Sequence, residues 1–123
     1  MKPSYLAEAL GTFCLVFAGT AAAVTDQATG GKVGVVGIGL VFGLVVLAMI
    51  YAIGHVSGAH MNPAVTIAFA ARGRLAGREV LPYVSAQLAG AVLASAAVAA
   101  VFGRAHGLGA TLPSGSWQQS FLL

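Results

Sequence analysis

The sequence predicts an all-α membrane protein, with three helices that cross the bilayer and one half-length helix that enters and leaves on the same side. Hydrophobic residues make up 59% of the 123 residues and charged residues only 7%, whereas a soluble domain carries about 25% charged residues. Three apolar runs are long enough to cross roughly 30 Å of hydrocarbon as helices. A fourth apolar run, rich in alanine, is too short to do so.

The three long runs cover residues 5–24, 33–53 and 80–103. Each has about 20 residues or more, which is the length that a membrane-spanning helix needs. Backbone polar groups in hydrocarbon must be satisfied within the segment, so we expect helices rather than strands. Small residues within the runs, such as Gly39 and Gly43 in a GxxxG pattern, favour close packing of helices.

Basic residues set the expected orientation. Lys2 precedes the first span, and Arg72, Arg74 and Arg78 cluster before the third. By the positive-inside rule, the N-terminus and the arginine cluster face the cytoplasm. We therefore expect a multi-pass protein of the plasma or inner membrane, with residues 104–123 starting outside and leading into a fourth span.

The segment 54–71 between the second and third spans predicts a re-entrant element. Asn62 is a good N-cap and Pro63 suits the first helical position, so "NPAVTIAFAA" reads as a helix. Ten residues rise only about 15 Å, half of the hydrocarbon thickness. The preceding "HVSGAHM" is too polar and glycine-rich to continue the second helix through lipid. Non-helical backbone at that depth is tolerated only against protein or a water-filled cavity.

This arrangement suits a small neutral solute that forms hydrogen bonds. The N-terminus of the half-helix would place about half a positive charge at mid-membrane and so repel cations. The amide of Asn62 can donate to a passing molecule. The backbone carbonyls that precede it would offer a row of acceptors: Gly58, Ala59, His60 and Met61.

Other classes of function find little support in the sequence. Cys14 is the single cysteine, so no intrachain disulfide or Cys/His metal cluster is expected. We expect no cofactor and no enzyme, because there is no Ser/His/Asp set, phosphate loop or pair of carboxylates. The basic residues are sparse and lie between apolar runs, which argues against a nucleic-acid partner.

Three stretches resemble the aquaporin/glycerol-facilitator family. "SGAHMNPAVT" (57–66) is similar to its first NPA box, "AEALGTFCLVFAGTAA" (7–22) to its first helix and "YVSAQLAGAVLA" (83–94) to its third. The resemblance implies a passive channel for water in which two inverted repeats form one pore. This chain matches the first repeat, with a single NPA motif formed by Asn62, Pro63 and Ala64.

The resemblance also implies roles for residues outside the motif. Phe42 matches one of the four residues of the family's constriction, and phenylalanine there resembles the water-selective members. Glu8 would accept hydrogen bonds from the re-entrant backbone, and Gln87 would support it. Simpler interpretations stay open: Phe42 facing lipid or the core, Glu8 reaching the interface, and Gln87 forming an ordinary interhelical bond.

The end of the chain carries a further expectation. "SFLL" (120–123) is similar to "SYLA" (4–7), which implies that a second repeat begins there and that the sequence is a fragment. A complete protein would resemble a homotetramer with one pore per subunit, and a pore needs the second repeat or a partner half. The alternatives are a glycerol or small-solute facilitator, and a non-conducting half-channel that acts as a structural or interaction subunit.

Overall fold

The computed structural model describes residues 2–113 and 115–122. Within them the chain forms five helices and one tight turn, and contains no strand. The all-α fold class is therefore confirmed. Ser114 and Leu123, which belong to the predicted segment 104–123, lie outside the described residues. The elements are α1 (Pro3–Ala28), α2 (Gly34–Ser57), α3 (Pro63–Ala71), α4 (Gly77–Phe102), the turn Ala105–Gly109 and α5 (Trp117–Leu122).

Three helices are long and apolar enough to cross a membrane. They are α1, α2 and α4, with 26, 24 and 26 residues. Their outer surfaces fit lipid, because large hydrophobic side chains such as Val35 and Tyr51 are 87% and 80% exposed. The chain is thus a multi-pass membrane protein whose apolar surface has the bilayer as its solvent.

The long helices extend beyond the predicted spans, because a helix can continue through the interface where polar side chains are solvated. α1 runs on through residues 25–28, of which the first three are polar. There the carboxylate of Asp26 accepts the N–H groups of Val33 and Gly34 at 3.0 and 2.7 Å. One side chain at the end of α1 therefore caps the start of α2.

The segment 54–57 is helical, although the sequence pattern assigned it to the re-entrant connection. α2 continues through His55 and Ser57 and ends at Gly58, whose φ of 89° is left-handed. Polarity did not stop the helix because the hydroxyl of Ser57 has a buried partner on α1. The left-handed glycine, not the polar residues before it, ends the helix.

α1 lies at the centre of the fold, packed against both α2 and α4, while α3 packs against α4. The α1–α4 contact is backbone to backbone. A Cβ on Gly90 would lie 2.2 Å from the carbonyl oxygen of Ala9. Buried apolar side chains join α1 and α2 to the connection that follows α2, through Ala7, Ile53, Ala59 and Met61.

The starts of α1 and α4 are joined by a polar contact. Glu79 accepts the Lys2 ammonium at 2.6 Å and the Tyr5 hydroxyl at 2.7 Å. The bond to Glu79 raises the pKa of Lys2 above its ordinary value. Together these bonds fix the N-terminus against α4.

Candidate functional site

The segment 58–61, called here the carbonyl segment, has an unusual backbone. Gly58 has a φ of 89°, and Ala59 and Met61 each have a φ of 50°. For a residue other than glycine, the left-handed region costs about 1–2 kcal/mol of conformational free energy. The two side-chain-bearing residues therefore need compensating bonds to hold this conformation.

Those bonds come from the N–H groups of the segment. Ser57 Oγ accepts the N–H of Ala59 at 3.1 Å. Glu8 accepts the N–H of His60 on Oε1 at 2.9 Å and that of Met61 on Oε2 at 2.7 Å. Three successive N–H groups are thus bound by two side chains.

Glu8 is fully buried and saturated with donors. Besides the two backbone groups, Oε1 accepts Ser57 Oγ at 2.7 Å and Oε2 accepts Gln87 Nε2 at 2.8 Å. A buried charge is tolerated only when it is paired or extensively hydrogen-bonded. Glu8 thus links three parts of the fold: α1, the carbonyl segment and α4.

The carbonyls have a different environment. Ser57 O accepts the hydroxyl of Tyr83 at 3.1 Å. Within the described part of the chain, no bond reaches the next four carbonyls, from Gly58 to Met61. The N–H side of the segment is consequently satisfied by protein, while its carbonyl side is free to accept from a solute.

The first turn of α3 is built by the sequence Asn-Pro-Ala. Asn62 has an extended backbone, and its Oδ1 accepts the N–H of Ala64 at 2.8 Å. Pro63 brings no N–H to a position where none could be satisfied. Asn62 is exposed, and its amide nitrogen donates to no group among the described residues. It is therefore a free donor beside the free carbonyls.

Thr66 is a second hub behind this site and is fully buried. Its hydroxyl lies 3.2 Å from the carbonyl of Asn62, 2.9 Å from Gln87 Nε2 and 3.1 Å from His60 Nδ1. A hydroxyl has one hydrogen. When that hydrogen goes to Asn62, Nδ1 of His60 carries the proton in the His60–Thr66 bond. The imidazole ring also packs against Phe69 and Tyr83, at centroid distances of 4.7 and 5.4 Å.

Phe42 lies apart from this network. Fifteen residues of α2 separate it from Ser57, which is about 22 Å along the helix axis. The residue is 38% exposed, and its ring lies over Gly19 of α1. The structure therefore brings Glu8, Gln87, the carbonyl segment and Asn62 together, and leaves Phe42 at another level of the fold.

Comparison with known proteins identifies the family. Residues 1–121 match the family model described as "Major intrinsic protein". The chain belongs to the major intrinsic protein family. It is 52% identical to Aquaporin NIP1-3 of Oryza sativa subsp. japonica over 120 residues, which cover 96% of the chain and 42% of the relative. It is also 52% identical to Aquaporin Z of Bradyrhizobium diazoefficiens over 92 residues, covering 74% of the chain and 38% of the relative.

The family agrees with the resemblance drawn from the NPA box and the first and third helices. The chain spans about two fifths of the length of the curated relatives that it matches. The relatives are named aquaporins, and those names describe channels rather than enzymes. The functional roles of Asn62, Phe42, Glu8 and the carbonyl segment stay predictions.

Ser57, Thr66 and Tyr83 are not among the site residues predicted from the sequence, where Thr66 is expected only to pack the half-helix or to bond back to a carbonyl. Periodicity holds a signal for one of them. Tyr83 and Gln87 are four residues apart and share a buried face of α4 with Gly90 and Ala94. Ser57 and Thr66 carried no such signal, because short hydroxyl side chains are common in apolar helices.

Proposed function

We propose that this chain forms the first repeat of a channel that conducts water passively across the plasma or inner membrane, with its N-terminus in the cytoplasm. Its re-entrant element would consist of the carbonyl segment going in and α3 coming back. The pore wall would be formed by the carbonyls of residues 58–61, with Asn62 at the end of the row. Phe42 would contribute to a constriction at a separate level.

The observation that carries this proposal is the one-sided hydrogen bonding of the carbonyl segment. Its N–H groups bind Ser57 and Glu8, so four carbonyls are left to replace the hydrogen bonds that water loses on entering a narrow passage. Acceptors in a row, followed by the free amide of Asn62, favour a neutral donor–acceptor molecule such as water. The rice and Bradyrhizobium relatives are named aquaporins, which supports the same solute.

The start of α3 adds a reason for cation exclusion. A helix N-terminus carries about half a positive charge. If α3 begins at mid-membrane, that charge faces the passage where hydration is weakest, and it raises the free energy of a cation there. Asn62 caps one N–H of this turn and leaves its own amide free.

A pore would need more surface than this chain provides. Among the helices of the described residues, α3 packs only against α4, and Val65 and Ile67 on α3 are 37% and 55% exposed. A re-entrant helix at membrane depth must be covered by protein or line a cavity. We therefore propose that a second repeat, or a partner half, covers this face, and that complete subunits assemble as a homotetramer.

The test uses two proteins in liposomes: this chain alone, and a fusion of residues 1–123 to the part of rice Aquaporin NIP1-3 that follows its matched segment. The fusion is called here the completed channel. Stopped-flow light scattering should show rapid water flux with a low activation energy for the completed channel. Comparable glycerol flux would favour a small-solute facilitator, and no flux at all would refute the proposal.

A charge variant tests the role of Asn62. Asn62→Asp should weaken cation exclusion and impair water flux, because it places a negative charge at the helix start. Gln27→Glu makes the same chemical change at an exposed position near the end of α1 and should change neither property. If ion rejection and water flux in Asn62→Asp equal those in Gln27→Glu, the role of Asn62 is contradicted.

A further inference from the structure

We propose that Gly19 of α1 sets the position of the Phe42 ring and is therefore a determinant of the size of solute that passes the constriction. This inference rests on the proposed function, because it concerns the channel in which Phe42 forms part of the constriction. The contact between Gly19 and Phe42, on which the inference depends, can be tested on this chain without a transport measurement.

The ring of Phe42 occupies the notch left by the missing side chain of Gly19. A Cβ on Gly19 would lie 2.0, 2.1 and 2.6 Å from Cζ, Cε1 and Cε2 of Phe42. All three atoms are at the far end of the ring, so the tip of the ring points at the backbone of α1. Gly19 is buried. No side chain at position 19 is compatible with the present position of the ring, because contacts this short are strongly repulsive.

The helices resist separation, so the ring must move instead. α1 and α2 are held together eight residues away, where a Cβ on Gly11 would meet Ile53 Cδ1 at 2.7 Å. They are also joined by the bond between Glu8 and Ser57. At Gly19 the obstacle is the end of a flexible side chain. At Gly90 the obstacle is the backbone of α1, and there a methyl group would push two helices apart.

When a side chain is introduced at position 19, the Phe42 ring can move in only one direction. α1 closes the side that the tip faces, while Phe42 keeps 38% of its surface exposed on its open side. An aromatic side chain on a helix has few χ1 rotamers, so the ring can leave the notch only toward this open side. If that side is the passage, glycine at position 19 keeps the constriction at the largest width that a phenylalanine allows. A larger residue narrows it and discriminates most against solutes bulkier than water.

The transport test measures water and glycerol permeability of the completed channel and four variants: Gly19→Ala, Gly39→Ala, Phe42→Val and Gly19→Ala/Phe42→Val. Gly19→Ala should lower glycerol permeability severalfold more than water permeability. Gly39→Ala is the matched control, since a Cβ there meets nothing within 4 Å, and both permeabilities should stay at the parent level. In a Phe42→Val background, Gly19→Ala should have no effect on the ratio. An unchanged ratio in Gly19→Ala, or the same change in both backgrounds, overturns the inference.

The structural test uses this chain alone in detergent. NMR with labelled phenylalanine should show a nuclear Overhauser contact between Gly19 Hα and the Phe42 ring, and Gly19→Ala should shift the ring resonances while Gly39→Ala leaves them in place. Unshifted resonances overturn the inference even if water flux is normal. Shifted resonances in a completed channel without flux leave the Gly19–Phe42 coupling standing and refute the proposed function. If Gly19→Ala folds poorly, recovery of folding in Gly19→Ala/Phe42→Val supports the coupling, and failure to recover opposes it.

Discussion

Replacing Glu8 by glutamine should release the carbonyl segment while leaving the size of the side chain unchanged. The carboxylate accepts four hydrogen bonds, two on each oxygen. Glutamine keeps one oxygen and turns the other into an NH₂ donor. In either orientation of the amide, one backbone N–H, of His60 or Met61, faces a donor and loses its partner.

The magnitude follows from the number of bonds. A hydrogen bond to a charged group contributes roughly 1.5–3 kcal/mol, so two lost bonds amount to roughly 3–6 kcal/mol. Removing a buried charge offsets part of this loss, and we expect a net destabilisation of about 2–4 kcal/mol. The two remaining neutral bonds contribute about 1–3 kcal/mol. Left-handed backbone at Ala59 and Met61 costs about 2–4 kcal/mol together. The strain is then of about the same size as the remaining bonds, so the left-handed conformation of the segment is no longer firmly held.

Two assays check this expectation. The free energy of unfolding, measured by SDS titration with circular dichroism, should fall by the stated amount, and water flux through the completed channel should be largely lost. Asp26→Asn is the matched control, because Asp26 accepts both of its backbone N–H groups on one oxygen and asparagine can keep both. Wild-type stability and flux in Glu8→Gln would refute the assigned support of the carbonyl segment.

Three further predictions concern neighbouring contacts. Thr66→Val should destabilise the chain by about 1–3 kcal/mol because it leaves buried partners unpaired, whereas Thr12→Val, at a buried hydroxyl with no partner among the described residues, should be near neutral; equal losses in the unfolding assay would contradict this. Tyr83→Phe should lower water flux without loss of the fold, because only the bond to the last carbonyl of α2 disappears; flux equal to the parent channel would oppose it. The raised pKa of Lys2 means that its contact with Glu79, which is present at neutral pH, is lost as the pH rises through the folded-state value, above the ordinary 10.5 of lysine. Alkaline titration of the unfolding midpoint should show this loss, and Lys2→Met should reduce it to the part that comes from the Tyr5 hydroxyl, which also donates to Glu79 and ionises at alkaline pH.

The sequence was sufficient for the fold class and for the helix order. Apolar runs of spanning length and the Asn-Pro start of α3 are local signals, and the helices occupy those places. The end of α2 was not predictable from local polarity. Ser57 stays in the helix because of a partner on α1, and such a contact between distant residues leaves no periodic pattern in the sequence.

In the candidate site too, some features are local signals in the sequence and others depend on contacts between distant residues. The resemblance pointed to Glu8, Gln87 and the NPA motif, and the structure has Glu8 and Gln87 in direct contact with each other and with the carbonyl segment or α3. The sequence resemblance could not predict the left-handed backbone of Ala59 and Met61. Neither residue type favours that conformation by itself, so the bonds from Glu8 and Ser57 impose it. The notch at Gly19 is likewise a property of two helices in contact.

The depth of Asn62 in the bilayer decides whether residues 54–71 form a re-entrant element. Electron cryomicroscopy of the completed channel in lipid nanodiscs would locate Asn62 against the hydrocarbon boundaries, which lie about 15 Å on either side of the midplane. We expect Asn62 near the midplane, with its amide facing a water-filled passage and with α3 rising back toward the side from which the chain entered. Asn62 at the level of the headgroups, or residues 54–73 lying along the membrane surface, would contradict this expectation.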